Sequence, residues 1–299
     1  MLGSTSGFWL EREARYRAAL ERKAALDELS RDSAWLRDIP VPWMVREGLI
    51  QKVSHKGEQV EAGLRYFEVA SVPAWREVYS GRGAAFRTSA SFGKTPGAVA
   101  TWLRRAELAA AERRCAAWDE RAFKALLPEL RGLTLEPKLA KLEAKLAGAC
   151  ADRGVAVVFV AAPPGCPASG ATRWLTSQKA LLALSLRHGS NDHLWFTFFH
   201  EAAHLLLHSK KVDFLEGMEG LDRELEEEAD HFAAELLIPG THGSELASLR
   251  SPADVRAFAK RIGVHPGIVV GRLQREGKLA WRTMNGLKLF YARGESRDG

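Results

Sequence analysis

The stretch WFTFFHEAAHLLLH (residues 195–208) combines the composition of a buried segment with side chains that carry chemistry. At 3.6 residues per turn, a helix over residues 193–208 places five polar side chains on one stripe: Thr197, His200, Glu201, His204 and His208. The other positions are mostly leucine and phenylalanine, so the helix is predicted to be buried. A polar stripe on a buried helix needs partners, because an unpaired buried charge is costly. A metal ion is one such partner.

The spacing of the histidines indicates a zinc site. His200 and His204 lie four residues apart, so both imidazoles can ligate one Zn²⁺ at ~2.0–2.1 Å. Glu201 would lie beside the metal, where a general base acting on a metal-bound water is needed. The H-E-x-x-H pattern would arise by chance in roughly 2–3% of chains with as many histidines, so its place on an apolar helix is what favours a metal. His193 and His208 are interpreted as helix-end or surface residues.

A third ligand is expected on a second helix, because catalytic zinc usually has three protein ligands and one open position. Residues 222–238 (DRELEEEADHFAAELLI) have helical periodicity with an apolar sector. Glu226 falls on the flank of that sector and Asp230 at its edge, whereas Glu227 and Glu228 fit an ordinary solvent-facing surface. The pattern predicts Glu226 as the third ligand. It predicts Asp230 as a carboxylate that accepts a hydrogen bond from the distal nitrogen of a ligand histidine.

Such a site predicts metal-assisted hydrolysis, with Glu201 transferring the proton of the water to the leaving amine. An extended substrate could pair with an edge strand, for which 171–177 and 180–187 are both candidates. Arg173, Arg187 and His231 are open alternatives for the group that stabilises the oxyanion.

Composition predicts a globular cytoplasmic protein. The 299 residues are 46% hydrophobic and 27% charged, and charges appear too early at the N-terminus for a secretory signal. Three cysteines without a CxxC pair favour reduced thiols over disulfides. No apolar run reaches the ~20 residues of a membrane span, so no membrane partner is expected. The net charge of +6 is compatible with DNA contact without requiring it.

The pattern of the chain changes near residue 153. Before it, helices are predicted over 8–38, 95–113, 120–130 and 137–152. After it, VAVVFVAA, ATRWLTS and KALLALSLRH are strand candidates, and helical periodicity resumes at about Asp192 and continues to the end. The predicted fold is α+β and mostly helical, with a small sheet packed on the H-E-x-x-H helix. Residues 1–152 would form a helical region and residues 153–299 the metal-binding domain.

The pair FTFFHEAAHLLLH and EEEADHFAAELLIP resembles the ImmA/IrrE family of bacterial metallopeptidases. In that family, H-E-x-x-H is followed by a helix reading E-x-x-A-[DN]-x-F-A-x-x-L-x-x-P. The matching positions here are Glu226, Ala229, Asp230, Phe232, Ala233, Leu236 and Pro239. Ala203 departs mildly from the glycine that many members have at the fourth motif position. The resemblance implies a gluzincin-like zinc site and, as in the best-known members, helix-turn-helix repressors as substrates.

Further similarity, over residues 154–208 and 252–291, points to a subgroup in which this domain follows a HigA-like helix-turn-helix antitoxin module. The N-terminal TSGFWLEREARYRAAL resembles the segment directly after that module. The DNA-binding helices are not in the given sequence, so we expect either a shortened form or a start placed too late. Members of the subgroup are often described as antitoxins or transcriptional regulators.

Two functions are therefore carried forward. The leading hypothesis is a zinc metallo-endopeptidase whose substrate is a transcriptional repressor or antitoxin-like protein. The alternative is a non-proteolytic antitoxin or transcriptional regulator that uses the domain for sensing or assembly. Residues 253–279 also have helix-turn-helix rhythm, and helix 266–275 would present Arg272, Gln274 and Arg275 to DNA. A helical hairpin packed on the domain is favoured, because few positions remain free to contact bases.

Overall fold

The computed structural model describes residues 5–81, 96–208, 214–215 and 223–291. Seven α-helices precede the sheet in this part of the chain. They are α1 (Ser6–Arg31), α2 (Val41–Arg46), α3 (Lys56–Phe67), α4 (Val72–Gly81), α5 (Pro96–Glu112), α6 (Glu120–Leu130) and α7 (Leu139–Ala151). The segment 8–38, predicted as one or two helices, is α1 to Arg31 followed by a short 3₁₀ helix (Ser33–Arg37). Thr95, the first residue of the helix predicted over 95–113, lies outside the described residues.

The sheet has the strand order β1-β3-β2-β4. Its strands are β1 (Val155–Phe159), β2 (Gly170–Thr176), β3 (Lys179–Leu184) and β4 (Phe214–Leu215). β3 pairs in parallel with β1 and antiparallel with β2, and β2 pairs antiparallel with β4. β3 is therefore an interior strand, and the suggestion that 180–187 forms a sheet edge is wrong. The other candidate, 171–177, is not an edge at its start either, because Ala171 and Thr172 of β2 pair with β3 on one side and with β4 on the other. β4 was not predicted, because two residues are too few for a periodic pattern.

Of the remaining described α-helices, one lies between β3 and β4 in the sequence and four follow β4. They are α8 (Asn191–Leu207), α9 (Arg223–Leu237), α10 (Gly243–Ser248), α11 (Pro252–Ile262) and α12 (Pro266–Arg275). The H-E-x-x-H segment lies on α8, which is buried along most of its length. α11 begins with a capping box between Ser251 and Asp254 and ends at Gly263 in the left-handed conformation.

Helices cover both faces of the sheet. Val155, Val157 and Leu182 pack on the side of α7 and α8, and Ala156, Val158 and Leu181 pack against α5. Alternate residues of each strand thus enter different cores, which explains why the strands read as continuous apolar runs. A third core, with Trp35, Phe67 and Trp75 in edge-to-face contact, holds the N-terminal helices together.

The predicted fold class is confirmed: the protein is mostly helical, with a small mixed sheet next to the H-E-x-x-H helix. Helices α5 to α7 share their cores with the sheet although they lie before residue 153. The division into regions 1–152 and 153–299 stays a prediction. In the described residues, no helix combines the length and apolarity needed to cross a membrane.

Candidate metal centre

Two histidines face each other on the buried helix α8. The Nε2 atoms of His200 and His204 lie 3.0 Å apart, and each residue is 2% exposed. The i, i+4 spacing brings the rings onto one side of the helix, as the sequence predicts. Burial fixes the helix in this orientation, since Phe198 and Phe199 of α8 are fully buried in the main core.

Glu226 of α9 completes the cluster. Its Oε2 lies 3.3 Å from His200 Nε2 and its Oε1 lies 3.4 Å from His204 Nε2. Ligand atoms of the three residues all lie within 4.8 Å of one another, and in the described residues these three form a group able to hold a metal ion.

Hydrogen bonds hold protons within this cluster. Burial lowers the pKa of His200, but hydrogen bonds to Asp230 and Glu226 outweigh it and raise the pKa to about 10. Burial raises the pKa of Glu226, but hydrogen bonds from His200 and His204 lower it to about 2. A carboxylate and an imidazolium therefore share a buried site, and a divalent cation there would take over the role of the proton.

The geometry of the donor atoms fits a zinc ion. Two atoms that ligate one tetrahedral zinc at ~2.0–2.1 Å lie roughly 3.3 Å apart. The observed separations of 3.0, 3.3 and 3.4 Å are close to that value. Two imidazole nitrogens and one carboxylate are also a donor set that zinc prefers.

The distal nitrogen of His200 contacts Asp230. Asp230 Oδ1 lies 2.9 Å from His200 Nδ1, and Asp230 Oδ2 accepts a hydrogen bond of 2.9 Å from Arg275 Nη2. The Arg275 guanidinium lies over the ring of Phe196, 3.7 Å from its centroid, and that ring is near His200. The structure thus places Asp230 where the helical periodicity of residues 222–238 puts it.

The distal nitrogen of His204 contacts His208, at the C-terminal end of α8. His208 Nδ1 lies 2.8 Å from His204 Nδ1, and His208 Nε2 lies 3.2 Å from Glu228 Oε2. His208 is the C-cap of α8, so the helix-end interpretation is correct, but its side chain is 2% exposed and the alternative of a surface residue is wrong. The reason is that His208, just after the last turn of α8, has an extended backbone that directs it back under His204.

The side chain of Glu201, which belongs to α8, contacts strand β2. Its Oε2 accepts a hydrogen bond of 2.9 Å from Thr172 Oγ1, and the residue is fully buried. Gly170, at the start of β2, leaves room for this carboxylate, because a Cβ there would lie 2.7 Å from Glu201 Oε1 and 2.5 Å from Thr197 Cγ2. The strand predicted as 171–177 therefore positions the glutamate of the motif.

The candidates for oxyanion stabilisation have contacts elsewhere. Arg173 forms an ion pair with Glu107 of α5, Arg187 donates to the carbonyl of Pro167, and His231 is exposed. The structure gives no preference among the three.

The C-terminal helical pair packs on the domain. Arg275 is held by Asp230, Arg272 donates to the carbonyl of Ala234, and Gln274 is buried with its amide on the carbonyls of Trp281 and Thr283. The three side chains considered for base contacts thus have partners within the chain. The hydrophobic positions of α12 belong to the main core.

Two helices that join a His-Glu-x-x-His pattern to a glutamate define a candidate metallopeptidase site. Comparison with known families agrees, because residues 167–274 match the IrrE N-terminal-like domain of the peptidase M78 family. This part of the chain is therefore a domain of the ImmA/IrrE family, as the sequence motifs predict. No curated protein matches the chain. The similarity of the remaining residues to HigA-like fusion proteins stays a prediction.

Proposed function

We propose that the protein is a zinc-dependent metallo-endopeptidase. The observation that carries the proposal is the convergence of His200, His204 and Glu226 inside a domain of a peptidase family. These three residues would hold the ion, which would supply Lewis-acid chemistry by lowering the pKa of a water towards ~7 and polarising the scissile carbonyl.

Glu201 is the proposed general base. It directly follows His200 on α8, and Thr172 holds one of its carboxylate oxygens. The carboxylate accepts a proton from the attacking water and donates it to the leaving amine, which turns a poor leaving group into a good one. Complete burial of Glu201 supports this role, since a water-poor environment strengthens the interaction of the carboxylate with developing charge.

Asp230 and His208 are proposed to orient the two ligand histidines. When Nε2 of each histidine faces the ion, the proton must lie on Nδ1. His200 then donates to Asp230, and His204 donates to His208 Nδ1, which leaves the His208 proton on Nε2 for Glu228. Both ligands are thereby fixed in the tautomer that binds metal.

A transcriptional repressor or antitoxin-like regulator is the proposed substrate. Support for this class comes from the family resemblance alone. The alternative, a non-proteolytic antitoxin or transcriptional regulator, keeps the metal cluster and dispenses with Glu201 as a base. The internal contacts of Arg272, Gln274 and Arg275 argue against base contacts by α12.

The deciding experiment compares the wild type with Glu201→Gln and with Glu227→Gln, an exposed glutamate of α9 paired with Arg223. Repressors encoded beside the gene are incubated with each zinc-loaded protein, and cleavage is followed by mass spectrometry. We expect Glu201→Gln to lose about 10²–10⁴-fold in rate while it keeps its zinc, and Glu227→Gln to match the wild type. Equal cleavage by wild type and Glu201→Gln, or cleavage by neither, would favour the non-proteolytic regulator.

A further inference from the structure

A cavity of about 280 Å³ lies between α8, α9 and α12. Its walls are mostly apolar, with Phe196, Leu237 and Ile268 among the lining residues, and Trp281 contributes an indole that is 60% exposed. The volume is near the lower end of the ~300–1,000 Å³ found for small-molecule sites. A small ligand with an apolar body fits these walls.

The cavity lies behind the metal cluster. Asp230, Phe196 and Arg275 line it: Asp230 contacts His200 Nδ1, the ring of Phe196 lies beside that of His200, and Arg275 donates to Asp230. In the described part of the chain, neither the three ligand residues nor Glu201 is among the lining residues. An occupant would therefore touch the residues that orient His200 and leave the metal-facing side open to substrate.

Asp192 provides a polar anchor in the wall. It is 7% exposed, and its Oδ2 accepts a hydrogen bond of 2.6 Å from Lys288 Nζ. Within the described residues its Oδ1 is buried and has no hydrogen-bond partner. Leaving a buried acceptor unsatisfied is costly, so a ligand that offers a donor there is favoured.

The charges of the wall are already paired. Lys288 neutralises Asp192, Arg275 pairs with Asp230, and Arg272 pairs with Glu276. A cationic ligand would face the guanidiniums of Arg272 and Arg275, and an anionic ligand would lie against Asp192. An uncharged molecule avoids both penalties.

We propose that this cavity binds a small uncharged, apolar molecule with one N–H or O–H donor for Asp192, and that its occupancy alters metal binding through Arg275 and Asp230. The binding itself is independent of catalysis, whereas the regulatory consequence rests on the proposed function.

Indole is the probe, and its binding to the zinc-loaded full chain is measured by calorimetry and ligand-observed NMR. We expect indole to bind with 1:1 stoichiometry and 1-methylindole, which lacks the donor, to bind about tenfold more weakly. Tryptamine and indole-3-acetate test the two charges and are also expected to bind more weakly. Equal binding of indole and 1-methylindole would overturn the role of Asp192, and no binding of indole would overturn the site.

Two variants locate the binding. Ala234→Phe fills the cavity from α9, and Ala257→Phe places the same ring on an exposed position of α11 outside it. Indole affinity should fall at least tenfold in Ala234→Phe and stay unchanged in Ala257→Phe. Trp281→Ala, at an exposed position, provides a second test that does not depend on core packing and should weaken binding too. Unchanged affinity in both cavity variants would place the probe elsewhere.

Coupling to the metal is tested by reciprocity, since indole must change zinc affinity by the same factor by which zinc changes indole affinity. We expect about a fivefold change, measured with a competing chelator. Absence of any change would overturn the regulatory part. Indole binding without repressor cleavage would contradict only the proposed peptidase, and cleavage without indole binding would contradict only this inference.

Discussion

The two sides of the metal cluster use different chemistry for the same task. On one side, His200 contacts the carboxylate of Asp230, which Arg275 holds from behind. On the other side, His204 contacts the imidazole of His208, which Glu228 holds from behind. Each ligand histidine thus contacts one residue directly, its inner partner (Asp230 or His208). That residue in turn contacts a charged side chain, the outer partner (Arg275 or Glu228).

The two sides differ in the distance between the ligand histidine and the nearest carboxylate of its inner or outer partner. Asp230 places its carboxylate in direct contact with His200, and the pKa of His200 is raised to about 10. His204 contacts a second imidazole instead of a carboxylate, and burial and the neighbouring His200 lower the pKa of His204 despite its contact with Glu226. The His200 side therefore makes the stronger, charge-assisted hydrogen bond. Position in the site, more than residue type, decides how basic each ligand is.

Removal of the ligand common to both sides should have the largest effect. Glu226 contacts both histidines, and loss of a charged partner from a buried set costs ~3–5 kcal/mol, or about 10²–10⁴-fold in affinity. Glu226→Ala should keep almost no zinc after dialysis against a chelator, as measured by elemental analysis.

Glu227→Ala is the matched control, because Glu227 is the neighbouring exposed glutamate of the same helix. It should retain about one zinc per chain. Full zinc content in Glu226→Ala would show that a different residue is the third ligand.

The His200 side could be predicted from the sequence and the His204 side could not. Glu226 and Asp230 lie within the regular part of α9, so a period of 3.6 residues is enough to place them on the flank that faces α8. His208 lies after the last residue of α8, and its side-chain direction depends on an extended backbone that helical periodicity does not describe. Its contact with Glu228 also depends on how two helices pack, which a single helical pattern does not contain.

The same distinction applies to the fold. Long periodic segments such as α8, α9 and α12 could be identified from sequence, and so could the three longer strands. The strand order could not, because the parallel pairing of β1 with β3 is set by contacts distant in sequence. For that reason β3 was an edge candidate in the sequence and is an interior strand in the structure.

Substitution of the inner partners tests the comparison directly. Loss of a residue that orients a metal ligand typically costs 10–100-fold in metal affinity. Asp230→Ala should be near the upper end of that range, and His208→Phe near the lower end, because the first removes a carboxylate partner and the second an imidazole partner. Zinc dissociation constants are measured by competition with a chromophoric chelator.

His55→Phe, at an exposed histidine before α3, controls for the loss of an imidazole and should leave zinc affinity unchanged. His208→Gln, whose amide can accept the same hydrogen bond, should recover part of the affinity lost in His208→Phe. If His208→Phe binds zinc like the wild type, the contact with His204 does not orient the ligand.

Substitution of the outer partners should have the smallest effect. The side chains of Arg275 and Glu228 are 49% and 54% exposed, and ion pairs at such positions contribute little because water and salt screen them. Arg275→Gln and Glu228→Gln should each weaken zinc binding by roughly two- to threefold at low salt. The effect should be smaller in 0.5 M salt, where the Debye length is roughly half of its physiological value of ~8 Å. An effect of Arg275→Gln as large as that of Asp230→Ala, and insensitive to salt, would mean that the guanidinium holds Asp230 in place by geometry. Arg275 would then be as important as Asp230 for the orientation of His200. The difference between the His200 side and the His204 side would then include the outer partners as well as the inner ones.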